Sequence, residues 1–140
     1  MFNLNDFRIQ QTGTIQIKRP DTGEDVDGLT VEVIGRTNKE YERHFESLGN
    51  ALKELSDNTK LEKDEKREKT FELESEFLAK VTVRINGAEI DGKEVGDDKA
   101  VILSLYNNKE YLWLRDQVNS GVFSTKNFLP KSNEKKAKKG

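Results

Sequence analysis

"FLAKVTVRINGAEIDGKEVG", residues 77–96, is the stretch on which the fold turns. Two periodicities overlap in it. Leu73, Phe77, Val81 and Ile85 recur every fourth residue, the spacing of a helix stripe. Val81, Val83 and Ile85 also alternate with Thr82 and Arg84, the period of a half-buried strand. Asn86-Gly87 is a hairpin dipeptide. The stripe continues a charged, helix-forming run, so the reading adopted is helix to about Arg84. A turn-rich loop over "NGAEIDGKEVG" (86–96) then follows.

Upstream, "TKLEKDEKREKTFELESEF" (59–77) is dense in Lys, Glu and Arg, good helix formers whose opposite charges pair one turn apart. Before it, "TNKEYERHFESLGNALKELSDN" (37–58) carries Tyr41, Phe45, Leu48, Leu52 and Leu55 on one helix face. Thr37 or Asn38 can cap its start. Gly49 weakens its middle by about 1 kcal/mol. Earlier still, "TGTIQIKRPDTGEDVDGLTVEVIG" (12–35) alternates as two strands, near 14–18 and 29–34, around a turn rich in Gly, Pro and Asp.

Downstream, "DDKAVILSLYNN" (97–108) reads as a short helix capped by Asp97. "KEYLWLRDQVNSGVF" (109–123) reads as another, stopped by Gly121. Asn127, Phe128, Leu129 and Pro130 form an irregular close. The expected fold class is α+β: an N-terminal antiparallel β-hairpin followed by a mainly α-helical body. It forms a single domain over 1–130, with a disordered basic tail over 131–140.

Composition narrows the function. Apolar residues make up 33% of the chain and charged ones 36%, which implies a modest core with long solvated faces. Residues 131–140 carry five Lys and one Glu, a net +4; the preceding 130 residues carry 19 basic and 25 acidic groups, a net −6. An acidic body is a poor general nucleic-acid surface, because phosphate contacts need clustered Lys and Arg. The longest apolar run, "AVIL" (100–103), is far short of a membrane span, and the N-terminus does not read as a signal peptide. Nucleic-acid and membrane partners are therefore not expected.

Chemistry-bearing groups are sparse. Cysteine is absent, which removes thiolate catalysis and disulfides, and histidine occurs once, as His44 in the first helix. "DTGEDVDG" (21–28) and "EIDGKEVGDD" (89–98) are carboxylate- and glycine-rich, but their spacing is not that of a calcium loop and suits turns instead. There is no phosphate-binding glycine motif. The expectation is a non-enzyme with no catalytic residue, metal or cofactor.

The C-terminal apolar block then acquires a meaning. Trp113-Leu114-Arg115-Asp116-Gln117-Val118, followed by Asn127-Phe128-Leu129, resembles the C-terminal part of the tail assembly chaperones of long-tailed phages. The order of the other pieces is similar too: a strand pair around Pro20-Asp21-Thr22-Gly23, long helices, the loop Asp91-Gly92-Lys93-Glu94-Val95, and a short helix before the Trp segment. The likeness covers roughly residues 12–130. The chain departs from the family pattern at 81–89 and in the charge density of 60–76.

The resemblance implies a non-enzymatic escort. It would bind the long, coiled-coil-prone tape measure protein in the host cytoplasm, keep it soluble, and not be retained in the mature virion. Tail tube subunits would be recruited through a frameshifted longer form. Ala137-Lys138-Lys139 can be encoded GCA AAA AAG, which contains a slippery heptamer. Self-association is left open. The residues expected at the partner surface are Tyr41, Phe45, Leu48 and Leu52 of the first helix, with Tyr111, Trp113, Arg115, Asn127, Phe128 and Leu129 of the C-terminal block. Trp, Tyr and Arg dominate interfaces most often. A structural tail completion or connector protein is the alternative reading, and a small nucleic-acid-binding protein using the lysine tail is a third.

Overall fold

The structure is a computed structural model that describes residues 1–130. The expected disorder of the lysine tail lies outside the described residues, as does the slippery-codon stretch. The body is α+β, with a four-stranded antiparallel sheet and four α-helices. The strands are β1 (Thr12–Lys18), β2 (Asp25–Ile34), β3 (Thr82–Ile90) and β4 (Lys93–Gly96), in spatial order β1-β2-β3-β4. The helices are α1 (Lys39–Asp57), α2 (Lys63–Val81), α3 (Lys99–Tyr106) and α4 (Leu112–Val122), with short 3-10 turns at Leu4–Phe7, Lys109–Tyr111 and Thr125–Phe128.

The N-terminal hairpin stands as expected, β1 on β2 with Ile15 opposite Val31 and Thr14 opposite Glu32. The body that follows it is not purely helical. Helix α2 stops at Val81, not Arg84, and the chain runs on as β3, which pairs with β2. Three forces favour the strand. Val81 to Ile85 is β-branched at four of five positions, where branched side chains pack well on a pleat. Strand β2 would otherwise present an open edge. Lys99, at the start of α3, donates from Nζ to the carbonyls of Ala79 (3.0 Å) and Thr82, which ties α3 to the point where α2 ends and β3 begins. Burial of that ammonium lowers its pKa, with Asp97 opposing the shift.

The strand register then separates residues that looked equivalent. Glu32 faces Arg84 while Val33 faces Thr82, so Val83 is the extra residue of a bulge. Val81 and Ile85 are fully buried, whereas Val83 is exposed. The stretch expected to be a loop, 86–96, holds a hairpin instead, and its turn is not at Asn86-Gly87. Asn86-Gly87 sits inside β3, and the two-residue turn to β4 is Asp91-Gly92, with φ of 52° and 77°. Both central residues have positive φ, the type I′ geometry that Asp-Gly supplies.

One face of the sheet carries Ile15, Ile17, Val31, Val33 and Ile85, all buried against the helices. Leu78 and Val81 of α2, Ile102 and Tyr106 of α3, and Val118 and Val122 of α4 complete the core. The outer face is polar: Asn86 Nδ2 donates to Glu32 Oε2 (3.0 Å) and Thr30 Oγ1 (3.2 Å), and Arg84 lies 3.6 Å from Glu32. Two hydroxyls anchor the core. The Thr82 hydroxyl bonds the Leu78 carbonyl (2.7 Å) and the Tyr106 hydroxyl (2.8 Å), and burial pushes the Tyr106 phenol well above its usual range. Ser75 Oγ lies within bonding distance of the carbonyls of Phe71 (2.8 Å) and Tyr106 (3.1 Å).

Helix ends follow local chemistry. Asn38 Oδ1 accepts from the Glu40 amide and caps α1. Asp98, not Asp97, caps α3, accepting from Ala100 and Val101. Gly121 lies inside the last turn of α4 rather than beyond it, because α4 crosses β1 there: a Cβ on Gly121 would come within 2.6 Å of Ile15.

Candidate partner-binding site

The residues singled out in the sequence fall into two separate places. The C-terminal block turns inward. Phe128 is buried over Gly13 and Gly35, where an added Cβ would come within 2.6 Å of its ring. Its carbonyl accepts from the Gln10 amide (2.7 Å), so the ring seals one end of the core while its backbone holds the chain entering β1. Asn127 Nδ2 donates to the Gly121 carbonyl (3.0 Å), and Leu129 is half-buried beside it. Tyr111 and Trp113 are half-buried and pack on the core cluster.

The polar members of the block also have partners within the chain. The Arg115 guanidinium lies 4.1 Å from the centre of the Phe71 ring, and its Nε donates to Ser75 Oγ (3.3 Å). Lys109 approaches the same ring (5.4 Å) and pairs with Glu68 (3.6 Å). Gln117 accepts from the Lys18 amide (2.8 Å) and donates to the Lys18 carbonyl (2.9 Å). Its carboxamide stands in for a neighbouring strand at the end of β1.

The first-helix stripe is used differently. Tyr41 and Leu55 are buried, Leu48 and Leu52 are half-buried, and Phe45 is 51% exposed. Phe45 belongs to an aromatic cluster: it stacks near Tyr41 (6.0 Å between centroids) and meets Phe77 edge-on (5.9 Å), while Tyr41 meets Phe77 at 5.5 Å. Beside it lies a shallow apolar groove of about 630 Å3, lined by Arg36, Tyr41, Glu42, Phe45, Glu46 and Phe123. Phe123, just past the end of α4, is 47% exposed. A larger hollow of about 1100 Å3 runs along β1, and most of the residues lining it are polar or charged types. The aromatic groove is the stronger candidate for protein recognition, because exposed aromatic rings on a firm base are what interfaces use.

The groove holds one unmet demand. The Tyr41 hydroxyl is buried and has no hydrogen-bond partner among the described residues. Burial pushes this phenol above its usual pKa, with Arg36 opposing the shift. Leaving such a donor unpaired costs about 1–3 kcal/mol.

Trp113 does not join this groove. It sits in the first turn of α4 and Phe123 just beyond its end, ten residues away, which is roughly 15 Å along a helix. Sequence reasoning brought out Tyr41 and Phe45 but missed Phe123 and the charged rim of Arg36, Glu42 and Glu46. The signal for Phe123 was faint: an apolar residue just after Gly121 and Val122 whose exposure only the path of α4 decides.

Among the described residues no group of three or more His, Asp or Glu is placed to hold a metal ion, and no helix is long and apolar enough to cross a membrane. Comparison with protein-family models, curated proteins and solved structures gives no match to this chain.

Proposed function

We propose that this protein is an escort for an amphipathic partner helix, of the kind the resemblance to phage tail assembly chaperones implies, with the tape measure protein as its client. The observation that carries the reading is the groove of Tyr41, Phe45 and Phe123, with two half-exposed aromatic rings on a closed core. A long helix with an uncovered apolar stripe is an aggregation hazard, and a groove of this kind can shield part of it. The mixed-sign rim of Arg36, Glu42 and Glu46 suits the charged flanks of such a helix. The Tyr41 hydroxyl offers the client a buried hydrogen bond. Recruitment of tail tube subunits by a frameshifted form belongs to the same proposal and rests on the resemblance alone.

The test is co-expression. The tape measure protein should stay in the soluble fraction with this chain and aggregate without it. Phe45→Ser with Phe123→Ser should abolish that rescue in a variant that still melts cooperatively. Solubility indifferent to the chain, or to both substitutions, rules the reading out.

A further inference from the structure

Strand β1 is an edge of the sheet: β2 pairs with it on one side, and among the described residues no strand lies on the other. Main-chain groups alternate in direction along a strand, so every second residue bonds the neighbour and the residues between point away. Two sets of hydrogen bonds fix which residues point where. The Gln11 carbonyl accepts from the amide of Gly35, just past β2, so Gly13, Ile15 and Ile17 follow it inward. The Lys18 amide and carbonyl are both taken by Gln117, on the other side. Counted from either end, Thr12, Thr14 and Gln16 present their N–H and C=O groups outward.

That outward edge is stopped at both ends and open between them. At one end the Gln10 amide donates to the Phe128 carbonyl (2.7 Å), and at the other Gln117 holds both groups of Lys18. The run from Gln10 to Lys18 spans roughly 26 Å at about 3.3 Å per residue. Between the stops, no loop, helix end or side chain among the described residues bonds the main chain of Thr12, Thr14 or Gln16. There is room beside them. The hollow of about 1100 Å3 has Ile15, Gln16 and Lys18 on one side and Ser120 and Ser124 on the other. Free edges are usually blunted by proline, by charge or by a covering element. From Thr12 to Ile17 this one has neither proline nor charge, and a hollow stands where a cover would.

We propose that β1 takes up a short extended segment of another polypeptide as a fifth strand of the sheet. A row of alternating main-chain donors and acceptors is matched by an extended backbone, the basis of recognition by strand addition. Gln117 already imitates one residue of such a strand at Lys18. The gap between the stops takes about five residues. Their side chains alternate: one set joins the outer face beside Thr14 and Gln16, and the other turns toward Ser120 and Ser124 and must be small. A second copy of β1 does not fit the same gap. In antiparallel pairing centred on Thr14, Gln10 of one copy falls opposite Lys18 of the other, where Gln117 already sits. A free segment that ends between the stops meets no such obstacle. None of these residues lines the aromatic groove, so the inference is independent of the escort reading.

The probe is a capped heptapeptide of alternating threonine and serine, added at about millimolar concentration to the isotope-labelled full chain. Its threonines belong opposite Thr14 and Gln16, and its serines toward α4. With peptide bound, the amides of Thr14 and Gln16 should exchange at least about tenfold more slowly, while those of Gly13 and Ile15, directed at β2, should not change. N-methylating the threonines, whose amides face β1, should weaken binding at least about tenfold; N-methylating the serines, whose amides face away, should weaken it less than about threefold. Thr14→Pro removes one outward N–H at an edge position where proline is tolerated. It should keep a cooperative melt and bind the peptide at least about tenfold more weakly. Should that variant fail to fold, the two methylated peptides still decide. No binding of the peptide, equal effects of the two methylation patterns, or a cooperatively melting Thr14→Pro that binds like the parent overturns the proposal. So does slow exchange of Thr14 and Gln16 in the monomer without peptide, which would show an edge already covered by the chain itself. Self-association that Thr14→Pro abolishes would assign the edge to a second copy and overturns it as well. None of these readouts depends on the Tyr41–Phe45–Phe123 groove.

Discussion

Two apolar blocks of similar composition meet opposite fates in this molecule. The C-terminal block, from Tyr111 to Leu129, supplies core and braces everywhere but at Phe123: Phe128 seals the sheet over two glycines, Arg115 stacks on Phe71, and Gln117 closes the end of β1. The α1 stripe supplies a buried foot, Tyr41, and an open ring, Phe45. The difference lies in what stands opposite. Gly13 and Gly35 leave a seat in the sheet for Phe128, whereas among the described residues Phe45 is backed on one side by Tyr41 and Phe77 and stays 51% exposed, and Phe123 stays 47% exposed. Composition marks a residue as sticky; the facing element decides whether that stickiness is used for folding or left for a partner.

The contrast breaks most visibly at the two phenylalanines. Phe128→Ala should cost about 3–5 kcal/mol, the range for removing a buried ring. A small domain has roughly 5–15 kcal/mol of stability in all, so the denaturant midpoint should fall sharply. Phe45→Ala should cost only about 1 kcal/mol, since it gives up ring contacts worth about 0.5–1.5 kcal/mol at a half-open site. Comparable losses in the two variants would erase the distinction between core block and open stripe.

Alkaline titration sharpens the same contrast. Tyr106 in the core and Tyr41 in the groove both have phenols raised by burial. Free tyrosine ionises near pH 10. Above that pH the unfolded chain loses phenolic protons that the folded chain keeps, so stability present below about pH 10 is lost as pH rises. Phenolate absorbance from these two residues should therefore appear together with unfolding. Tyr106→Phe should reduce the alkaline loss. Smooth ionisation of both tyrosines in the folded protein would contradict their burial.

A smaller effect is expected at Arg115. Its guanidinium stacks on Phe71 and its Nε bonds Ser75, so Arg115→Ala should destabilise by on the order of 1 kcal/mol. Arg115→Lys should recover little of that, because a point ammonium cannot reproduce the planar stack. Weakened client binding at unchanged stability would move Arg115 back to the partner surface that the sequence suggested. Smallest of all, Gly49→Ala in α1 should stabilise by about 0.5–1 kcal/mol, because the added methyl meets nothing within 4 Å and the unfolded chain loses freedom. A thermal midpoint that falls would show that α1 packs more tightly at that position than its open surroundings indicate.

The sequence by itself determined the elements whose signal is local. The β1–β2 alternation, the face of α1 and a cap at Thr37 or Asn38 depend on side chains within one or two turns of each other, and all three are present, the cap at Asn38. It determined the acidic body and the scarcity of catalytic groups for the same reason, since these are counts. Residues 81–90 were different. Their pattern supported helix and strand alike, and the choice fell to contacts distant in sequence: β2 lacking a neighbour on one side, and Lys99 tying α3 to the end of α2. The bulge at Val83 and the turn at Asp91-Gly92 followed from that pairing. The candidate site was half legible. Tyr41 and Phe45 stood out by period, but Phe123 became part of the groove only when α4 crossed β1 at Gly121, and Phe128 left the surface only because two glycines faced it. Burial is a property of pairs of elements, and only the tertiary structure brings those pairs together.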